Sequence, residues 1–332
     1  MSNQERRLTQ ALNRLRPEVR RAFEQAIRDA AISVNQTLLA NLIEQGRIEE
    51  AVELLRIDQS LFSPLTDALR GAFLTGGRLA EDIAPRGLTG VFRFDGRHPD
   101  AVAWVQRQAA TLVQGIEQEE LIKTRRVITA GIEEGMHSRR IAQSLTGRAV
   151  SGKRRVGGFL GLTAQQADSI IAGRAKLRSG DPALMRQYMR LEQRDKSMDS
   201  RIKRAIAEGR GITGKELDMI IEAHRSKALG YRGRVIASHE TKNALAAGRE
   251  RGMQQMLARP DVEAVTCRWQ HSLSEHPRLA HVAMNGTVIN LGERFEFPDG
   301  VAMKHPHDDE APARHTIGCR CVGIYRVRMR KS

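Results

Sequence analysis

Apolar residues recur at spacings of three and four through most of the first 260 residues, and this spacing restricts the fold more than any other feature. It is clearest in residues 19–43, where Val19, Phe23, Ile27 and Val34 begin the series. Such a series places its apolar side chains on one face of an α-helix. Aromatic residues make up only 4% of the chain, which also favours helices over sheets. We therefore expect a mostly helical protein.

Proline, glycine and capping residues predict where individual elements begin and end. Pro17 is predicted to open the first long helix, Thr163 to cap a later one, and Asp181-Pro182 to start the next. Two glycines predict a turn at residues 230–233, between two helices. Alternation of apolar and polar residues predicts a short strand at 91–95.

Composition changes after Pro260. Short segments rich in Val, Ile, Phe and Thr are then separated by turn signals such as Asn285-Gly286 and Pro298-Asp299-Gly300. The sequence thus predicts an α+β protein, a predominantly helical body with a small β-containing C-terminal module. The predicted divisions are an N-terminal helical region at 1–90, a helical middle region at 91–259, and the β-rich Cys/His-containing module at 260–332.

The C-terminal module concentrates residues that can bind metals. All three cysteines and six of the ten histidines lie between Cys267 and Cys321. A zinc site needs four nitrogen or sulfur ligands in a tetrahedral arrangement. The candidates are His281, His305, His307, Cys319 and Cys321.

Two interpretations of these residues stay open. In one, they hold a structural zinc ion, although two cysteines one residue apart match no standard zinc finger. In the other, the thiols pack as small buried apolar groups and the histidines hold the module together by hydrogen bonds. In either, three cysteines are a poor disulfide framework, so we expect reduced thiols.

A net charge of +15 and a pI near 10.5 predict attraction to a polyanion. Two segments are the best candidates for contact with nucleic acid, a glycine-rich basic loop at 147–158, expected to be mobile, and a basic helix near residue 200. Few aromatic residues accompany them, so binding should be independent of sequence and weaken with salt. The alternative for the helix is a solvated face balanced by its own acidic residues. The candidate residues are Arg148, Lys153, Arg154, Arg155, Arg201, Lys203 and Arg204.

The predicted helix at 234–257 carries charged and amide side chains in its middle turns. Arg234, Glu240, Asn243 and Arg249 are expected to form a buried polar network, since buried charge persists only when it is paired. Glu240 would neutralise an arginine, and Asn243 would bond a loop backbone. A catalytic role for Glu240, as in an ADP-ribosyltransferase, would need a nicotinamide pocket that the sequence does not indicate.

No window of the sequence reaches the eighteen uninterrupted apolar residues of a membrane helix, and the polar start lacks a signal-peptide core. We therefore expect no membrane partner and a location in the cytoplasm.

Several separated motifs together resemble the phage head morphogenesis family of minor head proteins, typified by the Mu protein F-like domain. The resemblance covers roughly residues 90–325, with His239 where the family has Ser or Thr, and His305-Pro306-His307-Asp308-Asp309 in place of a Tyr-Pro-x-Asp run. The residues that carry it are Phe94-Asp95, His98-Pro99 and Ala101 to Trp104, then Glu240-Thr241-x-Asn243, Gly248-Arg249, Trp269, His276 to His281, Met284-x-Gly286 and Cys319-Arg320-Cys321.

The resemblance implies a non-enzymatic minor head protein that acts in capsid assembly at the portal vertex. Its partners would be the portal protein, the major capsid or scaffold protein, and packaged DNA, and its place would be the interior of the virion head near the portal. Two alternatives are a sequence-independent DNA-binding protein of the host and a metal-dependent nuclease. The nuclease would use the polar run at 305–310 with His315.

Overall fold

The structure, a computed structural model, describes residues 2–151, 154–272 and 277–331. The chain is predominantly helical, with a small three-stranded antiparallel sheet near its C-terminal end. This confirms the predicted helical body with a small β-containing module.

Helices form most of the chain. In chain order they are α1 (Asn3–Ser33), α2 (Gln36–Glu44), α3 (Ile48–Leu54), α4 (Ser63–Glu81), α5 (Pro99–Glu133), α6 (Ser138–Thr146), α7 (Ala164–Arg178), α8 (Pro182–Tyr188), α9 (Asp199–Ala207), α10 (Gly214–Leu257), α11 (Leu279–Ala283) and α12 (Ala313–Thr316). Short 3₁₀ helices lie at Gln59–Phe62 and Lys196–Met198. Within the described residues, no helix is both long and apolar enough to cross a bilayer.

The strands pair only with antiparallel neighbours. The main sheet has the order β4-β3-β7, and β1 pairs with β2 and β5 with β6 as separate two-stranded ladders. The strands are β1 (Arg148–Ser151), β2 (Arg154–Val156), β3 (Val262–Gln270), β4 (Val288–Asn290), β5 (Phe295–Glu296), β6 (Ala302–Met303) and β7 (Val322–Met329).

The chain divides into two compact units, and each is assembled from separated segments. Unit 1 comprises Met1–Ala22, Pro64–Ala110 and Val235–Ser332, and unit 2 comprises Phe23–Ser63 and Thr111–Arg234. Three of the four unit boundaries fall inside α1, α5 and α10, and the fourth falls at the start of α4. This division differs from the three consecutive regions that the sequence predicts.

Unit 1 contains the C-terminal module, and the core of the module includes residues from far upstream. Trp269, Phe295 and Met303 from the strands are fully buried together with Ala80 of α4 and Met253 of α10. The β-rich region is therefore not a self-contained domain, because helices supply part of its apolar core.

A glycine permits the close approach of α4 and α10 within unit 1. A Cβ atom at Gly248 would lie 2.0 Å from the backbone oxygen of Phe73. Any side chain would force the two helices apart. Gly248 is one of the motif residues of the resemblance, and this contact gives a physical reason for a glycine there.

Unit 2 packs α2 against α6 and α7 against α8. The basic segment near residue 150, expected to be a mobile loop, contains the antiparallel strands β1 and β2. The Thr163 prediction is confirmed, because Thr163 and Gln166 form a reciprocal capping box at the start of α7. Asp181 caps α8 with Pro182 at its first position, as predicted.

Three local predictions are wrong. Pro17 lies inside α1, which begins fourteen residues earlier at Asn3. The turn at 230–233 is absent, because α10 continues through it. Residues 91–95 form no strand; side chains instead satisfy their backbone, since Glu81 accepts from the Phe94 amide at 3.0 Å.

Candidate metal centre

The candidate site lies against the three-stranded sheet of unit 1. Trp269 is fully buried near the end of β3, where it pairs with Gly323 of β7. The ring of His281, on the short helix α11, stands edge-on to the Trp269 ring at 5.4 Å between centroids. Phe297 lies 5.3 Å from the same imidazole. These aromatic contacts fix the position of the His281 ring.

His281, Cys319 and Cys321 form a buried cluster of metal-binding atoms. The Nδ1 atom of His281 lies 3.5 Å from each of the two sulfur atoms. Each of the three side chains is at least 97% buried. Across the described residues this is the one group of three or more such side chains whose ligand atoms converge, all within 4.8 Å of one another. The cluster could hold a metal ion.

A chain of hydrogen bonds behind His281 sets its tautomer. Nε2 of His281 lies 3.1 Å from Nδ1 of His315, and Nε2 of His315 lies 2.8 Å from a carboxylate oxygen of Asp299. The carboxylate accepts the His315 Nε2 proton, so His315 Nδ1 accepts from His281 Nε2. Nδ1 of His281 then carries a lone pair directed at the two thiols. Metal-binding histidines commonly have such support from a carboxylate.

The two thiols differ in acidity because they are coupled. The hydrogen bond from Cys321 lowers the pKa of Cys319 well below its usual range, against the opposing effect of burial. The hydrogen bond to Cys319, followed by burial, raises the pKa of Cys321. The pair therefore readily loses one proton and retains the second. A bound cation would favour the thiolate form of both.

His305 and His307 lie outside this cluster, unlike in the sequence-based ligand set. His305 Nε2 is 3.1 Å from a carboxylate oxygen of Glu250, and its Nδ1 faces the Pro306 oxygen at 3.0 Å. His307 is buried with a positive φ of 68°, and its Nδ1 has no hydrogen-bond partner among the described residues. Burial, above all other causes, lowers the pKa of His307 to about 4.

Each acidic residue that a nuclease centre would require binds a different partner. Asp308 accepts from the Lys304 backbone amide at 2.7 Å, and Asp309 accepts from the Trp104 indole at 3.1 Å. Glu310 pairs with Arg294 at 2.8 Å. These contacts direct the carboxylates to different neighbours and not to one shared point.

The four residues of the expected polar network do not form one network in the described structure. Glu240 accepts from Gln108 at 2.9 Å and pairs with no arginine, and its burial raises its pKa. The amide of Asn243 contacts the His239 ring at 3.3 Å and not a loop backbone. Arg234 is exposed.

Arg249, the remaining member of that set, is buried in a different environment. Its guanidinium donates to the amide oxygen of Gln4 at 2.9 Å and lies 5.2 Å from the centre of the Tyr325 ring. The Gln4 oxygen also accepts from the Tyr325 amide at 3.1 Å, which ties α1 to β7 within unit 1.

Some of the cations predicted to bind nucleic acid contact other groups of the described structure, and others do not. Arg155 donates to the backbone oxygens of Ala31 and Val34, and Arg148 lies 3.5 Å from Glu222. Lys153 and the side chain of Arg154 lie outside the described residues. On α9, by contrast, three cations are exposed and have no acidic partner within the described parts of the chain: Arg201, Lys203 and Arg204.

Comparisons with protein-family models, with curated proteins and with solved structures find no match to this chain. The resemblance to the minor head proteins therefore rests on the motif residues themselves.

Sequence reasoning did not identify the residues that support the cluster from behind. Asp299 follows a proline and precedes a glycine, so it looks like an ordinary turn residue. His315, four residues before Cys319, is predicted only as a residue of the nuclease alternative and not as a support of His281. Lys242, which donates to the Cys319 backbone oxygen at 2.5 Å, lies in the middle of a helix and gave none.

Proposed function

We propose that this chain is a minor head protein of phage head morphogenesis, acting in capsid assembly at the portal vertex without catalysing a reaction. The observation that carries the proposal is the convergence of the separated motifs. The ring of His281 lies 5.4 Å from the ring of Trp269, and its Nδ1 lies 3.5 Å from the sulfur atoms of both Cys319 and Cys321. Three separate segments of the resemblance therefore meet in unit 1.

We further propose that His281, Cys319 and Cys321 supply three of the four ligands of a structural zinc ion. Zn–S and Zn–N bonds in tetrahedral geometry place nitrogen and sulfur about 3.6 Å apart. The two measured N···S separations are 3.5 Å. Zinc would join α11 to the segment before β7, two parts of a module whose minor strands contain only two or three residues. Its role would be to hold the module in one shape for assembly.

An exposed apolar surface on the module is the proposed contact with portal protein. Leu279 is 84% exposed, and Val282 and Ile317 are each 42% exposed. Arg278 donates to the Ile317 backbone oxygen at 2.5 Å, which brings α11 and the turn after α12 together. Exposed apolar groups placed together suit a protein partner. The free cations of α9 would contact packaged DNA by charge alone.

Co-purification with the portal protein of the same phage tests the docking proposal. The double variant Leu279→Asp/Ile317→Asp should reduce portal binding at least tenfold, because it places charge in an apolar contact. Val91→Asp is the matched control, since Val91 is also in unit 1 and is 75% exposed. Equal portal binding by both variants would contradict the docking surface.

DNA-binding measurements test the second contact. Replacing Arg201, Lys203 and Arg204 with alanine should lower the slope of log affinity against log salt by about 2 to 3, one unit per lost phosphate contact. The control replaces three other exposed arginines, Arg14, Arg70 and Arg139. An equal loss in the control would show that binding is not located on α9. Metal-dependent cleavage of the DNA, lost in Asp309→Ala, would instead favour the nuclease.

A further inference from the structure

Unit 1 contains a cleft of about 530 Å³ that the metal cluster does not occupy. Its walls come from α1, from the middle of α10 and from the chain segments on either side of Cys321. This volume lies within the range of pockets that bind small molecules. The cleft is therefore large enough to enclose a ligand of several carbon atoms.

The charged groups that line the cleft are mostly positive. One acidic side chain, Glu5, faces four cations. Arg16 and Arg320 are exposed at the cleft, and neither has a carboxylate within 4 Å in the described structure. An excess of like charges is repulsive unless an anion binds between them. The four cations are Arg16, Lys242, Arg249 and Arg320.

Arg249 gives the second, independent indication of a ligand. Its side chain is only 3% exposed and lines the cleft, yet no carboxylate lies within 4 Å among the described residues. Its contacts are the Gln4 amide oxygen and the Tyr325 ring. A buried charge without a counter-charge is costly, and a guanidinium is well suited to bind the two oxygens of a carboxylate or phosphate.

A second buried polar group in the cleft also has no partner. His307 is 94% buried and lines the cleft, and its Nδ1 makes no hydrogen bond to the described residues. Ligand oxygens could satisfy such an atom. The neighbouring Lys242 is fixed in place by its bond to the Cys319 oxygen.

Apolar side chains also line the cleft. Leu8 and Leu12 of α1 and Leu245 of α10 contribute them. A lining that combines cations with apolar side chains fits an amphiphilic ligand and not a bare inorganic ion.

We propose that this cleft binds a small organic anion, whose phosphate or carboxylate group lies by Arg249, Lys242 and Arg320 and whose apolar portion lies against the leucines of α1. This site is distinct from the proposed contacts with portal protein and DNA and does not depend on them.

Calorimetric titration of the full-length, zinc-loaded protein at low ionic strength tests the proposal with four probes. Hexyl phosphate and hexanoate share an apolar chain and differ in the anionic group, so their affinities identify which group is preferred. Inorganic phosphate and hexanol each supply one half of the ligand. We expect one of the two amphiphilic anions to bind with a Kd on the order of 0.1 mM, at least tenfold tighter than either half. Failure of both amphiphilic anions to bind at 1 mM would overturn the proposal.

Three variants locate the binding site. Arg249→Gln keeps a polar side chain next to Gln4 and should weaken binding at least tenfold. Arg16→Ala, at an exposed position far in sequence from the metal ligands, should weaken it about threefold and leaves the fold intact. Arg326→Ala is the control, because Arg326 is exposed on β7 and does not line the cleft.

Zinc content measured in each variant separates loss of the ligand site from loss of the metal. Unchanged zinc with weakened binding in Arg16→Ala and Arg249→Gln, and normal binding in Arg326→Ala, would support the cleft. Equal weakening in Arg16→Ala and Arg326→Ala would overturn it, because the effect would then be one of overall charge.

Discussion

Two sets of buried charged groups, one in each unit, have opposite surroundings. In unit 2, the fully buried Lys123 pairs with Glu120, and Glu120 also accepts from the Gly161 amide at 3.1 Å. The buried Arg232 donates to the Gly161 oxygen at 2.8 Å and is attracted by Glu120. Lys123 and Arg232 thus share the counter-charge of Glu120 within their own unit.

In unit 1, several buried polar groups lack such partners in the described structure. Arg249 has no carboxylate nearby, His307 Nδ1 has no hydrogen bond, and the paired thiols face a histidine lone pair. The difference shows that burial of a polar group alone does not identify a ligand-binding site. Buried polar groups that satisfy one another stabilise a fold, whereas those left unsatisfied indicate where a ligand binds.

The largest expected effect comes from removing the proposed metal ligand. Cys319→Ser should abolish stoichiometric zinc and lower the free energy of unfolding by about 5 kcal/mol, because metal binding is coupled to folding. Metal analysis and urea unfolding measure both quantities.

Cys267→Ser is the matched control for this variant. Cys267 is equally buried in β3 but lies outside the cluster, so its replacement should leave zinc unchanged and cost about 1 to 2 kcal/mol. The same loss of stability in both variants, with no zinc in the wild-type protein, would refute the metal site.

A smaller effect is expected from breaking the buried ion pair of unit 2. Lys123→Met leaves Glu120 buried without its counter-charge and should cost about 3 to 4 kcal/mol of unfolding free energy. Arg249→Gln removes a buried cation that leaves no carboxylate behind, so it should cost less than about 1 kcal/mol without ligand. Urea unfolding of both variants checks the comparison. Equal losses would show that the two units do not differ in this respect.

A loss smaller than that of Lys123→Met is expected from the pH dependence of unit 2. Burial, then the nearby charges of Arg225 and Arg194, lowers the pKa of His224 from 6.5 to about 4. The unfolded chain therefore binds more protons than the folded chain between these values, so stability is full above pH 6.5 and falls as pH drops to 4. The loss should be roughly 2 to 3 kcal/mol.

Urea unfolding at pH 7 and pH 4 measures this loss. His224→Gln should reduce the measured loss by that amount, while His307, whose pKa is also lowered to about 4, keeps its own contribution. His98→Gln should not change the loss, because His98 is exposed. A loss of stability on acidification that is the same in His224→Gln as in the wild-type protein would assign it to other groups.

Local features of the fold could be predicted from sequence because their causes are local. The capping box of Thr163 and Gln166 and the Asp181-Pro182 start each involve residues within three positions of one another. The change of composition after Pro260 likewise indicated the β-containing module. Pro17 misled the prediction, because a proline signal at a helix start outweighed the apolar residues before it that continue the same face.

The division into units could not be predicted, because helices run through three of its four boundaries. The boundaries in α1 and α5 show no break in the helical pattern, and the two glycines before the boundary in α10 predict a turn where the helix continues. Part of the site could be predicted from the sequence, because the closely spaced cysteines and His281 are residue types that bind metals. Asp299 could not be predicted, because only the folded chain brings it close to His315.

The shared core of unit 1 has a consequence for the order in which the protein forms during translation. Ala80 and Phe92 pack in the same core as Cys321, which is synthesised more than 200 residues later. At a translation rate of about 5 to 20 residues per second, these apolar side chains are synthesised on the order of 10 to 50 s before their partners. Every segment of unit 2 has left the ribosome before then. Capture of the metal would thus be among the last events in the maturation of a newly made chain.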